Sequence, residues 1–343
     1  MKRATLILVT LGLLVLSIAD RSQTSWLLVR ALAFAVCLFT VKNENPRLLY
    51  GLAAAFTFIA IEGWRGFDYA LASIAFCTLQ VRLKSLAILL SAIGVAGGIS
   101  LLLTHFAPGW PVAMFPFHNR NHFAVFCEIS IPVLIYAARR SRNRIYLWVV
   151  GLIFVAALAG GSRAGAVLLT AEVCALWFLL AGRQRFWFAG PALALATSLF
   201  LLVAGTERIQ NPLAGDHRIE IWQSSVEMIA AKPVRGWGSG EFSRIYPAYA
   251  RFDNGEFVNA AHSDWVEWAT EMGLPLSCAF LACFLWWTRK YIHFYPSWGI
   301  LIGALHATVD YPFHLPGLLV FTAALAGSIE ANGTSIEAES SNC

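Results

Sequence analysis

The sequence predicts an all-α fold: a polytopic integral membrane protein of about twelve transmembrane helices with one long external loop carrying an amphipathic helix. Three observations predict it. Of 343 residues, 58% are hydrophobic and only 13% charged, against roughly a quarter charged in average soluble chains. The mean hydropathy is +0.63. The apolar residues fall into repeated blocks of membrane-spanning length, separated by short polar connections. This composition excludes an ordinary soluble domain, a disordered chain and a coiled coil. The formal net charge of +5 is small and dispersed, so nucleic acid is not an expected partner; membrane lipids are.

The candidate spans lie at 4–19, 26–41, 48–61, 67–80, 85–106, 122–138, 145–160, 164–182, 186–204, 264–288, 296–309 and 315–329. The first also fits a signal sequence, following Met1-Lys2-Arg3. Basic residues crowd the connections on one side: Lys2, Arg3, Lys42, Arg47, Arg82, Lys84, Arg139, Arg140, Arg142, Arg144, Arg183, Arg185, Arg289 and Lys290. The short connections of the other side hold Arg21, Arg65, Arg120 and Arg163. The positive-inside rule then places the N-terminus in the cytoplasm, and the polar tail 328–343 with it, expected to be disordered. The seven cysteines contain no Cys-x-x-Cys pair and mostly sit in apolar runs, which reads as packing use rather than a disulfide or zinc framework.

The loop 205–263 faces outward and holds much of the polar chemistry. Asp216 is placed to cap a helix, after which Ile219, Trp222, Val226 and Ile229 recur at helical spacing. The expectation is an amphipathic segment lying on the membrane surface and ending at Lys232-Pro233. Trp222 and Trp237 stand as candidates for stacking on sugar rings or for anchoring at the interface.

Four polar groups gather at the outer ends of the spans: His118 to His122, with Arg120 and Asn121; Gly160 to Gly165, with Arg163; His217-Arg218 and Ala261-His262-Ser263-Asp264 in the loop; and His306 to His314, with Asp310. Each taken singly also fits a cap or a headgroup anchor; their convergence on one leaflet favours a site. Arginine stays charged and grips phosphate through a planar fork, and histidine takes a proton near neutral pH. Together they suit a pyrophosphate leaving group and a hydroxyl nucleophile. Glu128 and Glu172 fall inside spans, where charged groups pair or line a cavity; they are expected to hold the arginines or to form a proton path. No Asp-x-Asp and no His-Glu-x-x-His occurs. His306, Asp310 and His314 are spaced like a ligand stripe, but Pro312 should break that helix, so no metal site is expected.

The ordered set Asn119-Arg120-Asn121-His122-Phe123-Ala124, Ser162-Arg163-Ala164-Gly165, Arg218-Ile219-Glu220-Ile221-Trp222, Lys232-Pro233 with Gly236-Trp237-Gly238-Ser239-Gly240, Ala261-His262-Ser263-Asp264, Glu271-Met272-Gly273-Leu274-Pro275 and His306 through Asp310-Tyr311-Pro312 to His314 resembles the O-antigen ligase and polymerase superfamily of bacterial membrane glycosyltransferases. The resemblance covers about 118–316. It divides the chain into N-terminal transmembrane helices (1–117), a catalytic transmembrane region (118–327, including the periplasmic loop 205–263) and a cytoplasmic tail (328–343). It implies an inner-membrane, metal-independent, inverting transferase of the GT-C type that uses no cofactor. Such an enzyme moves a glycan from undecaprenyl pyrophosphate to a hydroxyl of a glycan, of lipid A-core or of another acceptor. By motif, Arg163 and Arg218 would bind the pyrophosphate and His262 would activate the acceptor. Arg120, Asn121, His122, Ser263, Asp310 and His314 would line the substrate cleft. Ser263 stands where the family more often has Asn. A transporter or flippase, and a non-catalytic partner in polysaccharide export, remain open alternatives at this level.

Overall fold

The computed structural model describes residues 2–16, 23–40, 47–62, 66–106, 117, 119–181, 217–251, 255 and 257–341. Among them the chain is helical throughout, with no strand. Eight helices precede the loop: α1 (Lys2–Leu16), α2 (Gln23–Thr40), α3 (Arg47–Glu62), α4 (Phe67–Thr78), α5 (Leu83–Phe106), α6 (Arg120–Ser141), α7 (Ile145–Ala159) and α8 (Arg163–Ala181). Among the described residues five follow α8: α9 (Arg218–Ala231) and a one-turn helix at Phe242–Ile245 in the loop, then α10 (Asp264–Tyr291), α11 (Trp298–His306) and α12 (Pro316–Ser341). Among the described residues four helices are long and apolar enough to cross a membrane, namely those at Leu83–Thr104, Arg120–Ser141, Arg163–Leu180 and Asp264–Tyr291. Shorter apolar helices stand at Ala4–Leu14, Gly51–Ala60, Phe67–Thr78 and Ile145–Ala159. The expected span 186–204, His118 and Asp216 lie outside the described residues.

Helix α6 touches α5, α7, α8 and α11. Small residues let these partners approach. A Cβ on Gly165 of α8 would fall 2.5 Å from the Ala124 Cβ, and one on Gly299 of α11 would fall 2.5 Å from the Glu128 carbonyl oxygen. This is the small-residue logic of helix contacts in lipid, where close van der Waals packing supplies the attraction.

The C-terminal segment differs from expectation. Helix α12 runs on to Ser341, into the stretch 328–343 read as a disordered tail. Up to Asn332 it is held to the connection between α4 and α5: the Val81 N–H donates to Ser328 Oγ at 3.1 Å, and Asn332 Nδ2 donates to the Val81 carbonyl at 3.1 Å. These polar residues are pairing groups at a helix contact, which composition alone does not distinguish from a solvated end.

The loop helix also turns a different face inward. Ile221, Ser224, Ser225 and Met228 are its buried residues, and α9 packs on α10, while Ile219 and Val226 are exposed. The serines tolerate burial because each hydroxyl donates to a carbonyl of its own helix, Glu220 at 3.0 Å and Ile221 at 2.8 Å. With the serines thus satisfied, their small side chains allow α9 to seat against α10, so the hydrophobic spacing of Ile219, Trp222, Val226 and Ile229 does not decide which side is covered.

Candidate functional site

Helices α6, α8 and α9 all begin with an arginine: Arg120, Arg163 and Arg218. A cation at the first helical position opposes the positive end of the helix dipole, so it does nothing for the helix. It does make the end of that helix a stronger anion site, since guanidinium and unpaired backbone N–H groups then point at the same place. The Asn119 side chain caps α6 by accepting the Asn121 N–H at 2.8 Å. Arg120 then lies over the Gly160-Gly161 turn that feeds α8: its Nη1 is 4.0 Å from where a Cβ on Gly161 would be. Gly161 has φ of 69°, a value glycine adopts without strain, so the chain turns within two residues and Arg163 opens the next helix beside Arg120. Arg218 is half-buried and its charge is felt at His306.

The histidines gather around Tyr311. The His262 ring stands edge-on to Tyr311 at 5.3 Å between centroids, and the His122 ring does the same at 5.6 Å. Asp310, buried, accepts the Tyr311 N–H at 2.9 Å through Oδ1. His122 feels the charges of Asp310, His306 and His262. Asp310 Oδ2 and His122 Nε2 are buried without a hydrogen bond among the described residues. The Tyr311 phenol bonds Asn259, and burial, then the Asp310 carboxylate, push it above its ordinary range. It stays a neutral phenol at physiological pH.

His262 itself is held in an uncommon conformation. Its φ is 52°, and Arg142 is the other non-glycine residue with positive φ among those described. Such a conformation persists only where the surroundings enforce it, and it clusters at functional positions. Here the peptide before it is clamped from two sides. Trp222 Nε1 donates to the Ala261 carbonyl at 2.9 Å, and the Ala261 N–H donates to Glu267 Oε2 at 2.8 Å. The next residue, Ser263, caps α10, its hydroxyl oxygen accepting the Val266 N–H at 3.4 Å.

Residues 148–281 match the O-antigen ligase family. By this match, that stretch of the chain resembles an O-antigen ligase domain. It contains Arg163, Arg218 and His262 and stops short of Arg120, His122, Asp310 and His314. No curated protein matches the chain. The match and the apolar helices together are those of a multi-pass membrane protein.

Two motifs of the matched stretch turn out to be one structure. Helix α10 breaks at Gly273, where φ is 78° and ψ is 165°. The segment after α9 fills the break with main-chain bonds: Trp237 N–H to Thr270 O at 3.1 Å, Gly238 N–H to Glu271 O at 2.8 Å, and Leu274 N–H to Pro233 O at 2.8 Å. A Cβ on Gly236 would lie 2.2 Å from the Glu271 carbonyl oxygen, and one on Gly273 2.4 Å from that of Val234. The glycines of Gly236-Trp237-Gly238 and of Glu271-Met272-Gly273 are therefore partners across one contact. Trp222 and Trp237 spend their indole N–H groups on backbone, Trp237 on the Met228 carbonyl at 2.9 Å, and Lys232 Nζ sits 3.9 Å over the Trp237 ring. Both indoles brace the loop. Farther off, Glu62 of α3 accepts the Ser239 N–H at 2.9 Å, tying the N-terminal helices to the domain.

Several expected relations are rearranged. Glu128 pairs with His306, Oε1 to Nδ1 at 2.8 Å, rather than with an arginine. Glu172 has both carboxylate oxygens buried without a hydrogen bond among the described residues. His314 binds Asp264, Nδ1 to Oδ1 at 2.5 Å. The spacing of His306, Asp310 and His314 thus does not produce a common ligand set: the helix ends at His306 and Pro312 starts a separate turn. Tyr311, Glu62 and Glu267 carry no signal that sequence reasoning could have used. Tyr311 lies inside a motif that was noticed, but its meeting with both His122 and His262 is a long-range fact.

Proposed function

We propose that this protein is a metal-independent, inverting glycosyltransferase that moves a glycan from undecaprenyl pyrophosphate to an acceptor hydroxyl at the periplasmic face of the bacterial inner membrane. The observation that carries the reading is the placement of Arg120, Arg163 and Arg218 at the starts of three helices, an arrangement that weakens helices and favours anions. The match to the O-antigen ligase family supports the same reading.

In the reaction, the acceptor oxygen forms a bond to the anomeric carbon while the bond from that carbon to the pyrophosphate oxygen breaks. The electron pair leaves with the lipid pyrophosphate, and the acceptor proton passes to His262. Arg163 and Arg218 bind the pyrophosphate and stabilise the charge that grows as it departs, a role in which fixed donors act without reorganisation. Arg120 shares the phosphate end of the cleft. His122, Asn121 and Asp310 line the sugar side around Tyr311, and Ser263 fixes the backbone that presents His262. Pyrophosphate is a competent leaving group, so placement and charge supply the catalysis.

The test is transfer by purified protein from an undecaprenyl-pyrophosphate-linked glycan to acceptor. His262→Ala is expected to abolish transfer while leaving the protein inserted and folded; wild-type transfer by that variant overturns the reading. Analysis of surface glycan after gene deletion separates acceptors. Loss of all glycan from lipid A-core marks ligation, and capping with one repeat unit marks polymerisation.

A further inference from the structure

Helix α10 opens with Asp264, Glu267 and Glu271, side chains buried to 0%, 6% and 1% exposure, and His314 reaches into the same place from the turn before α12. Among the described residues no lysine or arginine pairs with these carboxylates. With all three carboxylates ionised, the cluster would hold a buried excess of negative charge even with the imidazole protonated, and buried charge without compensation is costly.

The hydrogen bonds show where the compensation belongs. Asp264 accepts the Phe313 N–H at 2.9 Å and the His314 N–H at 3.1 Å, and its contact at 2.5 Å with Nδ1 fixes the ring. That orients Nε2 toward the two glutamates. Glu267 has committed Oε2 to the Ala261 N–H, and Glu271 has committed Oε1 to the Phe242 N–H at 3.2 Å. The atoms left over converge: Nε2 lies 3.7 Å from Glu267 Oε1 and 3.5 Å from Glu271 Oε2, all three within 4.8 Å of one another. Both Glu271 Oε2 and His314 Nε2 are buried, and beyond their 3.5 Å ion pair neither makes a short hydrogen bond among the described residues. A tetrahedral ion with ligands at about 2.0–2.2 Å has ligand-to-ligand edges of about 3.4 Å, close to the two separations from Nε2, 3.5 Å and 3.7 Å. A histidine whose second nitrogen is held by a carboxylate is also the usual arrangement behind a metal ligand.

We propose that Glu267, Glu271 and His314 form a binding site for a divalent transition ion of the zinc class, with Asp264 as the partner that orients His314. Two carboxylates and one imidazole suit such an ion better than an all-oxygen cage for calcium. The ion ties the first turns of α10 to the turn at 312–314, and through the Ala261 and Phe242 N–H bonds it steadies the loop on either side. Its role is to hold the scaffold that presents His262; the transfer step takes no part of its chemistry from it.

The experiment uses full-length protein in detergent, stripped with chelator and reloaded with Zn²⁺, with bound zinc counted by mass spectrometry after gel filtration. Wild type is expected to retain one equivalent and to melt at a higher temperature with zinc than without. Glu271→Gln and His314→Ala are expected to lose the ion, and Asp264→Asn to bind it about 10–100-fold more weakly. His217→Ala, outside the cluster, is expected to bind like wild type. Cobalt in place of zinc should give ligand-field bands that vanish in His314→Ala. Zinc no higher than a buffer blank in wild type, or equal retention by Glu271→Gln and His314→Ala, overturns the proposal and leaves a protonated imidazole among carboxylates. If the variants do not fold, the wild-type titration and melting shift decide alone. None of these readings depends on transfer activity.

Discussion

Replacing Trp222 by Phe removes one hydrogen bond and keeps most of the ring. The bond lost is the indole N–H to the Ala261 carbonyl, 2.9 Å long, with Ala261 fully buried. Leaving a buried carbonyl unpaired costs about 1–3 kcal/mol. The left-handed conformation of His262 that this bond helps to hold costs about 1–2 kcal/mol for a residue with a side chain. The restraint and the strain are thus of the same size, so its loss lets His262 relax to negative φ and swing its ring off Tyr311. A shift of about 1–2 kcal/mol against the working geometry corresponds to roughly a 5–30-fold fall in rate. The assay is turnover by purified variant with a labelled undecaprenyl-pyrophosphate-linked glycan, with kcat and KM for the acceptor measured separately and folding followed by melting temperature. The expected result is a fall in kcat with little change in donor affinity. A folded Trp222→Phe protein that turns over at the wild-type rate refutes the claim that the backbone of His262 is held for function.

Other expectations follow from the same geometry. Arg163→Lys and Arg218→Lys should each slow transfer at least tenfold, because an ammonium cannot reproduce the bidentate guanidinium fork; unchanged kcat in both would remove the pyrophosphate role. Gly273→Ala should destabilise the protein by about 3 kcal/mol or more, since positive φ and a Cβ at 2.4 Å from the Val234 carbonyl act together, and a thermal melt in detergent reads this directly. Gly165→Ala should push α8 from Ala124 and cost about 1–3 kcal/mol by overpacking, seen as a lower melting temperature. Cysteines introduced between 217 and 251 should react with an impermeant reagent added from the periplasmic side; labelling only after the inner membrane is opened would reverse the proposed orientation.

Much of the architecture was legible from residue order. Blocks of apolar residues become helices because a bilayer leaves the backbone few other ways to satisfy its hydrogen bonds, and described helices stand where eleven of the expected spans were read. The polar clusters at the helix ends were legible as well, since charged groups are scarce enough in such a chain to stand out. The O-antigen ligase relationship was carried by short ordered motifs and needs no coordinates. The face of α9 was not legible: hydrophobic spacing favoured Ile219 and Val226, but Ser224 and Ser225 can be buried because their hydroxyls bond back to their own helix. Nor was the helical run past Ser328, which rests on bonds to Val81 almost 250 positions away.

Composition and motif order therefore determined that this is a helical membrane protein with arginines and histidines clustered at the ends of its apolar segments, because hydrophobicity and charge are properties each residue carries alone. Only the tertiary structure decided that His122 and His262 meet at Tyr311, that Arg120 lies over the turn before Arg163, and that His314 turns to Asp264 rather than to Asp310. These are facts of packing between segments distant in sequence, fixed by which helices can approach at Gly165, Gly299 and Gly273, and no local pattern encodes them.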